Sequence, residues 1–168
     1  MFLTREYHLH LEGTRFYSVL IGMSAFFLML SALVPFEVVL IPAVAATPRR
    51  WRRVWLAGFI GSALGATALA ALFQYFGWPL IDRLIPSLAT SAGWLVAQRW
   101  MVNYGVLALV AIATLPIAQA PVLVLCGLLK TPLVYVVLAF LAGKAMKYAV
   151  ISLLVVRSET RLRRMLDE

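Results

Sequence analysis

Ala32-Leu33-Val34-Pro35 breaks one apolar run of this chain, and Ala113-Thr114-Leu115-Pro116 breaks a second run in the same way. A further proline follows each stretch, Pro42 in the first half and Pro121 in the second. Hydrophobic segments broken at corresponding positions of two halves are typical of transporters built from inverted repeats, whose binding site lies near the bilayer midplane. These stretches therefore predict a repeat, with chance similarity between two apolar segments as the alternative.

The composition predicts an all-α integral membrane protein. Hydrophobic residues make up 63% of the 168 residues, and residues 54–81 and 100–129 carry no charge. Such long charge-free apolar runs are typical of transmembrane helices, and a core helix of a soluble protein is rarely so uniformly apolar. We expect no cleavable signal at the N-terminus, because acidic residues come first and the apolar run that follows is too long.

Several functional classes are excluded by what the chain lacks. Cys126 is its single cysteine, so no intramolecular disulfide can form and no cysteine cluster can bind a metal. We find no nucleophile–base constellation, metal-ligand motif or phosphate-binding loop, and we expect no enzyme, no cofactor and no metal. The net charge is +8, but no globular part exists to bind nucleic acid, so anionic membrane lipids are the expected partners.

The basic residues fall into three clusters that predict the topology. They are Arg5 and Arg15, then Arg49, Arg50, Arg52 and Arg53, then Arg157, Arg161, Arg163 and Arg164. The positive-inside rule places all three clusters, and hence both termini, on the cytoplasmic side of the membrane. Residues 16–48 then start and finish on one side, although two spans would need about 40 residues. A re-entrant hairpin that turns near Pro35 to Pro42 solves this, and one long tilted helix is the alternative.

The rest of the predicted topology follows from placing the three basic clusters on the cytoplasmic side. Residues 54–77 cross outward, residues 82–99 predict an amphipathic segment on the outer surface, residues 100–130 form a second hairpin entered from outside, and residues 133–156 return. The predicted organisation is a cytoplasmic segment 1–15, one membrane domain 16–156 with pseudo-repeats of about 16–81 and 100–156, and a basic tail 157–168. The predicted hairpin breaks are Pro35, Pro42, Pro116 and Pro121.

Glu37 is the only acid between Glu12 and Asp82, and it lies inside the first broken segment. An intramembrane carboxylate costs about 2.5–3.5 kcal/mol, so it is expected to be paired or neutral. We predict that Glu37 takes part in proton or charge coupling. The alternative is a carboxylate near the interface that caps a half-helix.

Lys144 and Lys147 share one face in the middle of residues 133–156. Two such lysines cost about 5–7 kcal/mol, roughly what the apolar residues of that helix contribute. They therefore need a partner or a wet cavity, and the candidates are Glu37 and an anionic ligand. Because half-helix N-termini also attract phosphate, we predict an anionic headgroup site.

Other candidate residues surround this prediction. Gln119 is strongly polar within the second broken segment, where it meets a headgroup or satisfies broken backbone. Tyr148 follows Lys144 by one helical turn and is assigned to the same headgroup site. Four glycines predict close helix packing: Gly58, Gly61, Gly65 and Gly143.

These motifs, taken in order, resemble the DedA superfamily. The residues that carry the likeness are Ala32-Leu33-Val34-Pro35 to Glu37-Val38-Val39-Leu40, Gly61-xxx-Gly65, Asn103-Tyr104-Gly105, Leu115-Pro116, Cys126-Gly127-Leu128-Leu129 and Gly143-Lys144-Ala145-Met146-Lys147-Tyr148. The family is also known by its VTT domain or as SNARE-associated Golgi protein-like, and the chain resembles its short YqaA-like branch.

The resemblance implies an inner-membrane protein with two opposed re-entrant hairpins that moves lipids between leaflets. Undecaprenyl phosphate would be the bacterial cargo and Glu37 the proton-coupling acid. One departure stands out. Typical members carry arginines three residues before and after the proline of the second hairpin, where this chain has Ala113 and Gln119. Either Lys144 and Lys147 replace those arginines, or this branch handles a different substrate.

Three functions are consistent with these features. The leading prediction is a flippase or scramblase for an anionic lipid. The alternatives are an accessory subunit whose broken hairpins and buried charges are satisfied by a membrane partner or a second copy of the chain, and an exporter of a small solute.

Overall fold

The computed structural model describes residues 15–31, 34–84, 86–87, 90–115 and 119–166. Within these ranges the regular elements are helices and no strand occurs. They are α1 (Arg15–Ser31), α2 (Glu37–Ala46), α3 (Trp51–Phe76), α4 (Trp78–Leu84), α5 (Ala92–Tyr104), α6 (Val106–Thr114), α7 (Ala120–Leu128) and α8 (Leu133–Leu166), with a 3-10 helix at Pro48–Arg50. The all-helical prediction is confirmed.

Two helical segments, Pro48–Phe76 and Leu133–Ser158, are long and apolar enough to cross a membrane. This finding is compatible with a membrane protein. The four helices α1, α2, α6 and α7 are shorter: at 1.5 Å per residue, the longest of them reaches only about 25 Å. A hydrocarbon core is about 30 Å thick, so α2, α6 and α7, with nine or ten residues each, are too short to cross it alone.

The two long helices, α3 and α8, form the centre of the molecule and run in opposite directions. Phe73, near the end of α3, packs in one apolar cluster with Val136, near the start of α8. Val54, near the start of α3, packs in the other cluster with Tyr148 and Ile151, farther along α8. The middle of each long helix is therefore next to the middle of the other.

The short helices of each half pack on both long helices, one on each. In the first half, α1 packs on α3 and α2 packs on α8; in the second half, α6 packs on α8 and α7 packs on α3. In each half, the first short helix therefore packs on the long helix that follows it in the sequence. The second short helix packs on the long helix of the other half. The two long helices are bound together by both short pairs.

Glycines on α3 let α1 approach its backbone closely. A Cβ atom on Gly61 would overlap the carbonyl oxygen of Gly22, and one on Gly65 would lie 2.5 Å from the carbonyl oxygen of Phe26. Because Gly22 and Phe26 meet Gly61 and Gly65 in the same order, α1 runs parallel to α3. Small residues at such positions are the usual means of close packing between membrane helices.

Gly143 plays the corresponding part on α8. A Cβ atom there would lie 2.6 Å from Cβ of Ala113 and 2.8 Å from the carbonyl oxygen of Val110, both on α6. The first short helix of each half therefore packs against a glycine of the long helix that follows it.

Substituting Gly61 with alanine is expected to lower the free energy of unfolding by about 1–3 kcal/mol, because the new methyl group must displace the backbone of α1. Gly93→Ala is the matched control, since its Cβ atom would meet only the ring of Pro121 at 3.2 Å. Denaturant unfolding of the purified proteins in detergent measures both. Equal stability of the two variants would contradict the close α1–α3 contact.

The four prolines that were predicted to break the hairpins occupy different positions in the structure. Pro35 lies in the turn between α1 and α2, and Pro121 lies in the first turn of α7, where its missing N–H group costs nothing. Pro116 lies outside the described residues. The prediction that Pro42 breaks the hairpin is wrong, because it lies inside α2. Because proline has no backbone N–H group, α2 lacks one helical hydrogen bond at this position.

The predicted surface segment 82–99 has different bounds in the structure. It is divided between the end of α4 and α5, and α5 runs past the predicted boundary to Tyr104. The Ser91 side chain caps α5 by accepting from the N–H group of Trp94 at 3.2 Å. The helix ends at Gly105, whose φ of +54° suits glycine. Residues 1–14 of the predicted cytoplasmic segment and residues 167–168 of the basic tail lie outside the described residues.

Candidate functional site

Glu37 and Lys147 form an ion pair between α2 and α8. The Lys147 ammonium lies 2.5 Å from Oε1 of Glu37, and the two side chains are only 12% and 17% exposed, respectively. Glu37 is the first residue of α2, where a carboxylate also interacts favourably with the positive end of the helix dipole. The sequence analysis names Glu37 as a candidate partner for both lysines, and the structure pairs it with Lys147.

The same ammonium also reaches the second broken segment. Lys147 Nζ donates to the carbonyl oxygen of Leu115 at 3.4 Å, just beyond the end of α6. The last carbonyl groups of a helix have no partner within it, so they are available to an outside donor. One lysine of α8 therefore connects the beginning of α2 with the end of α6.

Lys144 lies one turn earlier on α8 and is almost completely buried, with 3% of its surface exposed. Its ammonium donates to the hydroxyl of Tyr148 at 3.1 Å and lies 5.2 Å from the centroid of that ring. Among the described side chains, no carboxylate lies within ion-pairing distance of Lys144. Among the described residues, this cation is compensated by the hydroxyl of Tyr148 and, at longer range, by the carboxylate of Glu37.

Tyr148 connects Lys144 to the other long helix. Its hydroxyl lies 3.0 Å from Oγ of Ser62, and both residues are fully buried. The ring lies 5.5 Å from that of Phe36, which precedes Glu37. Phe36 in turn occupies a notch at Gly58, where a Cβ atom would lie 2.8 Å from the Phe36 ring. This packing fixes the start of α2 beside α8 and so positions Glu37.

Gln119 contacts the backbone rather than the lysines. Its side-chain nitrogen donates to the carbonyl oxygens of Ile112 and Ala113, each at 3.3 Å. These two carbonyl groups lie at the end of α6, where helical partners are missing. Of the two roles predicted for Gln119, satisfying the broken backbone is the one that this geometry favours.

The site carries one uncompensated positive charge. Lys144 and Lys147 contribute two cations and Glu37 one anion, and all three lie close to the middle of the candidate spans. An unpaired charge in a low-dielectric surrounding is costly, whereas an anion bound beside it would remove that cost. Among the described residues, Lys144 is thus the cation of this site that has no ion-pair partner. Within the described ranges, no group of residues could hold a metal ion.

Ser62 and the carbonyl of Leu115 were not predicted from the sequence. Ser62 could have been noticed as a hydroxyl residue in the middle of a charge-free run, between Gly61 and Ala63. The Leu115 carbonyl carries no sequence signal, because every residue has such a group. The same applies to the carbonyl of Ala145, which accepts from the Trp55 indole at 2.9 Å and joins α3 to α8.

Replacing Tyr148 with phenylalanine is expected to lower the free energy of unfolding by about 1–3 kcal/mol, because Lys144 and Ser62 both lose a buried hydrogen-bond partner. Tyr135→Phe is the matched control, since Tyr135 is on the same helix and is 51% exposed. Unfolding in detergent compares the two. If Tyr148→Phe were as stable as Tyr135→Phe, the hydroxyl would not be supporting the buried cation.

Comparison with family models, with curated proteins and with solved structures finds no match to this chain. The class of protein thus rests on the fold and the site. It is a helical protein with two helices apolar enough to cross a membrane, and polar side chains meet where those helices lie side by side.

Proposed function

We propose that this protein is an integral inner-membrane lipid transporter of the DedA type, a flippase or scramblase that moves an anionic lipid between leaflets. The observation that carries the proposal is the buried ammonium of Lys144, which has no ion-paired carboxylate among the described residues. It lies beside an ion pair in the middle of a candidate span. Intramembrane charges of this kind mark substrate or proton pathways.

The arrangement of helices supports an inverted repeat with two opposed re-entrant hairpins. The order short helix, turn, short helix, long helix occurs twice, and the packing of the short pairs on the long helices is exchanged in a corresponding way. Phe36, in the first turn, packs on Gly58 in the first half of α3, and Gly127 of the second pair packs on Ala70 in its second half. Inverted repeats with broken helices place a site at the midplane.

In the proposed cycle, the headgroup phosphate binds Lys144 and then competes with Glu37 for Lys147. Glu37 takes up a proton or changes its ion-pair partner when the phosphate displaces it. Because Lys147 contacts both broken segments, a change at this lysine alters the contacts of both. Undecaprenyl phosphate is the cargo that the DedA resemblance implies, and Gln119 supports the second turn rather than the headgroup.

The test is leaflet exchange of fluorescent anionic lipids and of undecaprenyl phosphate in proteoliposomes of the purified protein. Wild type is expected to exchange anionic lipids faster than protein-free vesicles, and Glu37→Gln is expected to slow the exchange. The exposed basic residue Arg99 offers a control in Arg99→Gln. Folded wild type that exchanges no lipid would contradict the proposal and favour an accessory subunit.

A further inference from the structure

Four arginines precede and begin α3, and together with Trp51 they line a surface cavity of about 460 Å³. We call Arg49, Arg50, Arg52 and Arg53 the arginine cluster; all four are exposed. Among the described residues, the ion pair found in the structure is that of Lys147 with Glu37, so these guanidinium groups have no acidic partner there. The cavity is thus open, strongly cationic and independent of the central lysines.

The positive charge of the arginine cluster lies at the start of α3, where no group of the helix itself neutralises it. The first turn of α3 contains no acidic residue, and Arg50, at its N-cap, makes no side-chain capping bond. The start of a helix carries partial positive charge and free N–H groups, and it is normally stabilised by anions. Four cations at this end repel one another and the helix dipole, so an anion bound in the cavity would relieve both.

Tryptophans place the arginine cluster at the depth of lipid headgroups. Trp51 packs against Trp55, with ring centroids 6.4 Å apart, and the Arg52 guanidinium lies 5.7 Å from the Trp51 ring. Trp55 is anchored to α8 through the carbonyl of Ala145. Tryptophan is enriched at the boundary between hydrocarbon and water, and the apolar span begins here.

The guanidinium groups of the arginine cluster are well suited to binding phosphate. All four cations are arginines, whereas topology alone would be served equally well by lysines. The planar guanidinium group binds phosphate through two parallel hydrogen bonds, which an ammonium cannot do. We propose that the arginine cluster binds the headgroup phosphate of an anionic phospholipid in the leaflet that surrounds the start of α3. This site holds a lipid whether or not the protein transports one.

Native mass spectrometry of the full-length protein in detergent tests this site, with phosphatidylglycerol and phosphatidylcholine as probes. Wild type is expected to retain phosphatidylglycerol preferentially. Changing all four arginines to lysine keeps the charge and the topology signal, and it is expected to weaken phosphatidylglycerol binding about tenfold because bidentate contacts are lost. The control changes the exposed arginines Arg83, Arg99 and Arg157 to lysine and should bind like wild type.

Two outcomes would overturn the proposal. Binding of phosphatidylglycerol that is equal in the cluster variant and the control, or no stronger than that of phosphatidylcholine, would show that the arginine cluster does not recognise the lipid. Displacement of the lipid by millimolar inorganic phosphate would assign the cavity to free phosphate instead. Because binding is read without any transport step, failure here is distinct from failure of leaflet exchange.

Discussion

Replacing Lys147 with methionine is expected to lower the free energy of unfolding by about 3 kcal/mol. Glu37 would remain buried and charged but would lose the ammonium 2.5 Å from its carboxylate, and an uncompensated buried charge is strongly destabilising. The lower end of the usual range applies because both side chains keep some exposure. Denaturant unfolding in detergent, followed by tryptophan fluorescence, measures the loss.

The double variant Glu37→Gln with Lys147→Met is expected to recover most of this stability, because both charges are removed together. Lys130→Met is the matched control, since Lys130 is an exposed lysine at the end of α7 and should change stability little. Additive losses from Glu37→Gln and Lys147→Met would mean that the ion pair is absent from the folded protein.

The opposite behaviour is expected of Lys144→Met, only three residues away. This change removes a buried cation that has no carboxylate partner, while Tyr148 keeps its hydrogen bond to Ser62. The free energy of unfolding should therefore stay the same or rise. Leaflet exchange of anionic lipids should nevertheless fall by about tenfold or more, because the headgroup loses a charge-assisted contact.

This separation of stability from transport distinguishes a binding residue from a structural one. Exchange at the wild-type rate in Lys144→Met would remove the central lysine from the proposed mechanism. Neutralising Lys144 and Lys147 together is expected to abolish exchange, and adding Glu37→Gln keeps the carboxylate from being left unpaired. That triple variant should still be found in the membrane fraction, which shows whether the loss is one of function.

The sequence could identify the residues of the site but not their pairing. Glu37 was named as a partner for the lysines because no other acid lies in the first broken segment. Whether it meets Lys144 or Lys147 depends on how the start of α2 lies against α8, where Phe36 packs between the notch at Gly58 and the ring of Tyr148. Such a contact between distant segments leaves no periodic pattern in the sequence.

Prolines and charged residues in the sequence did not all mark the ends of helices in the structure. Pro35 lies in a turn, whereas Pro42 is accommodated in a short helix at the cost of one hydrogen bond. Arg99 suggested the edge of an apolar segment, but charge does not end a helix; the backbone of Gly105 does. Charge patterns thus predicted where apolar runs begin, and backbone chemistry decided where the helices end.

The exchange of short helices between the two long ones has a consequence for biosynthesis. The surface that receives α2 belongs to α8, which leaves the ribosome long after α2 has been made. Until then the nascent N-terminal half has a carboxylate without its cation and an apolar face without its neighbour, the kind of exposed intermediate that chaperones recognise. A product terminated before α8 would lack both lysines as well as the docking face. Translation must therefore pass α8 before the site can form, and we expect shorter products to expose the faces that α8 would cover.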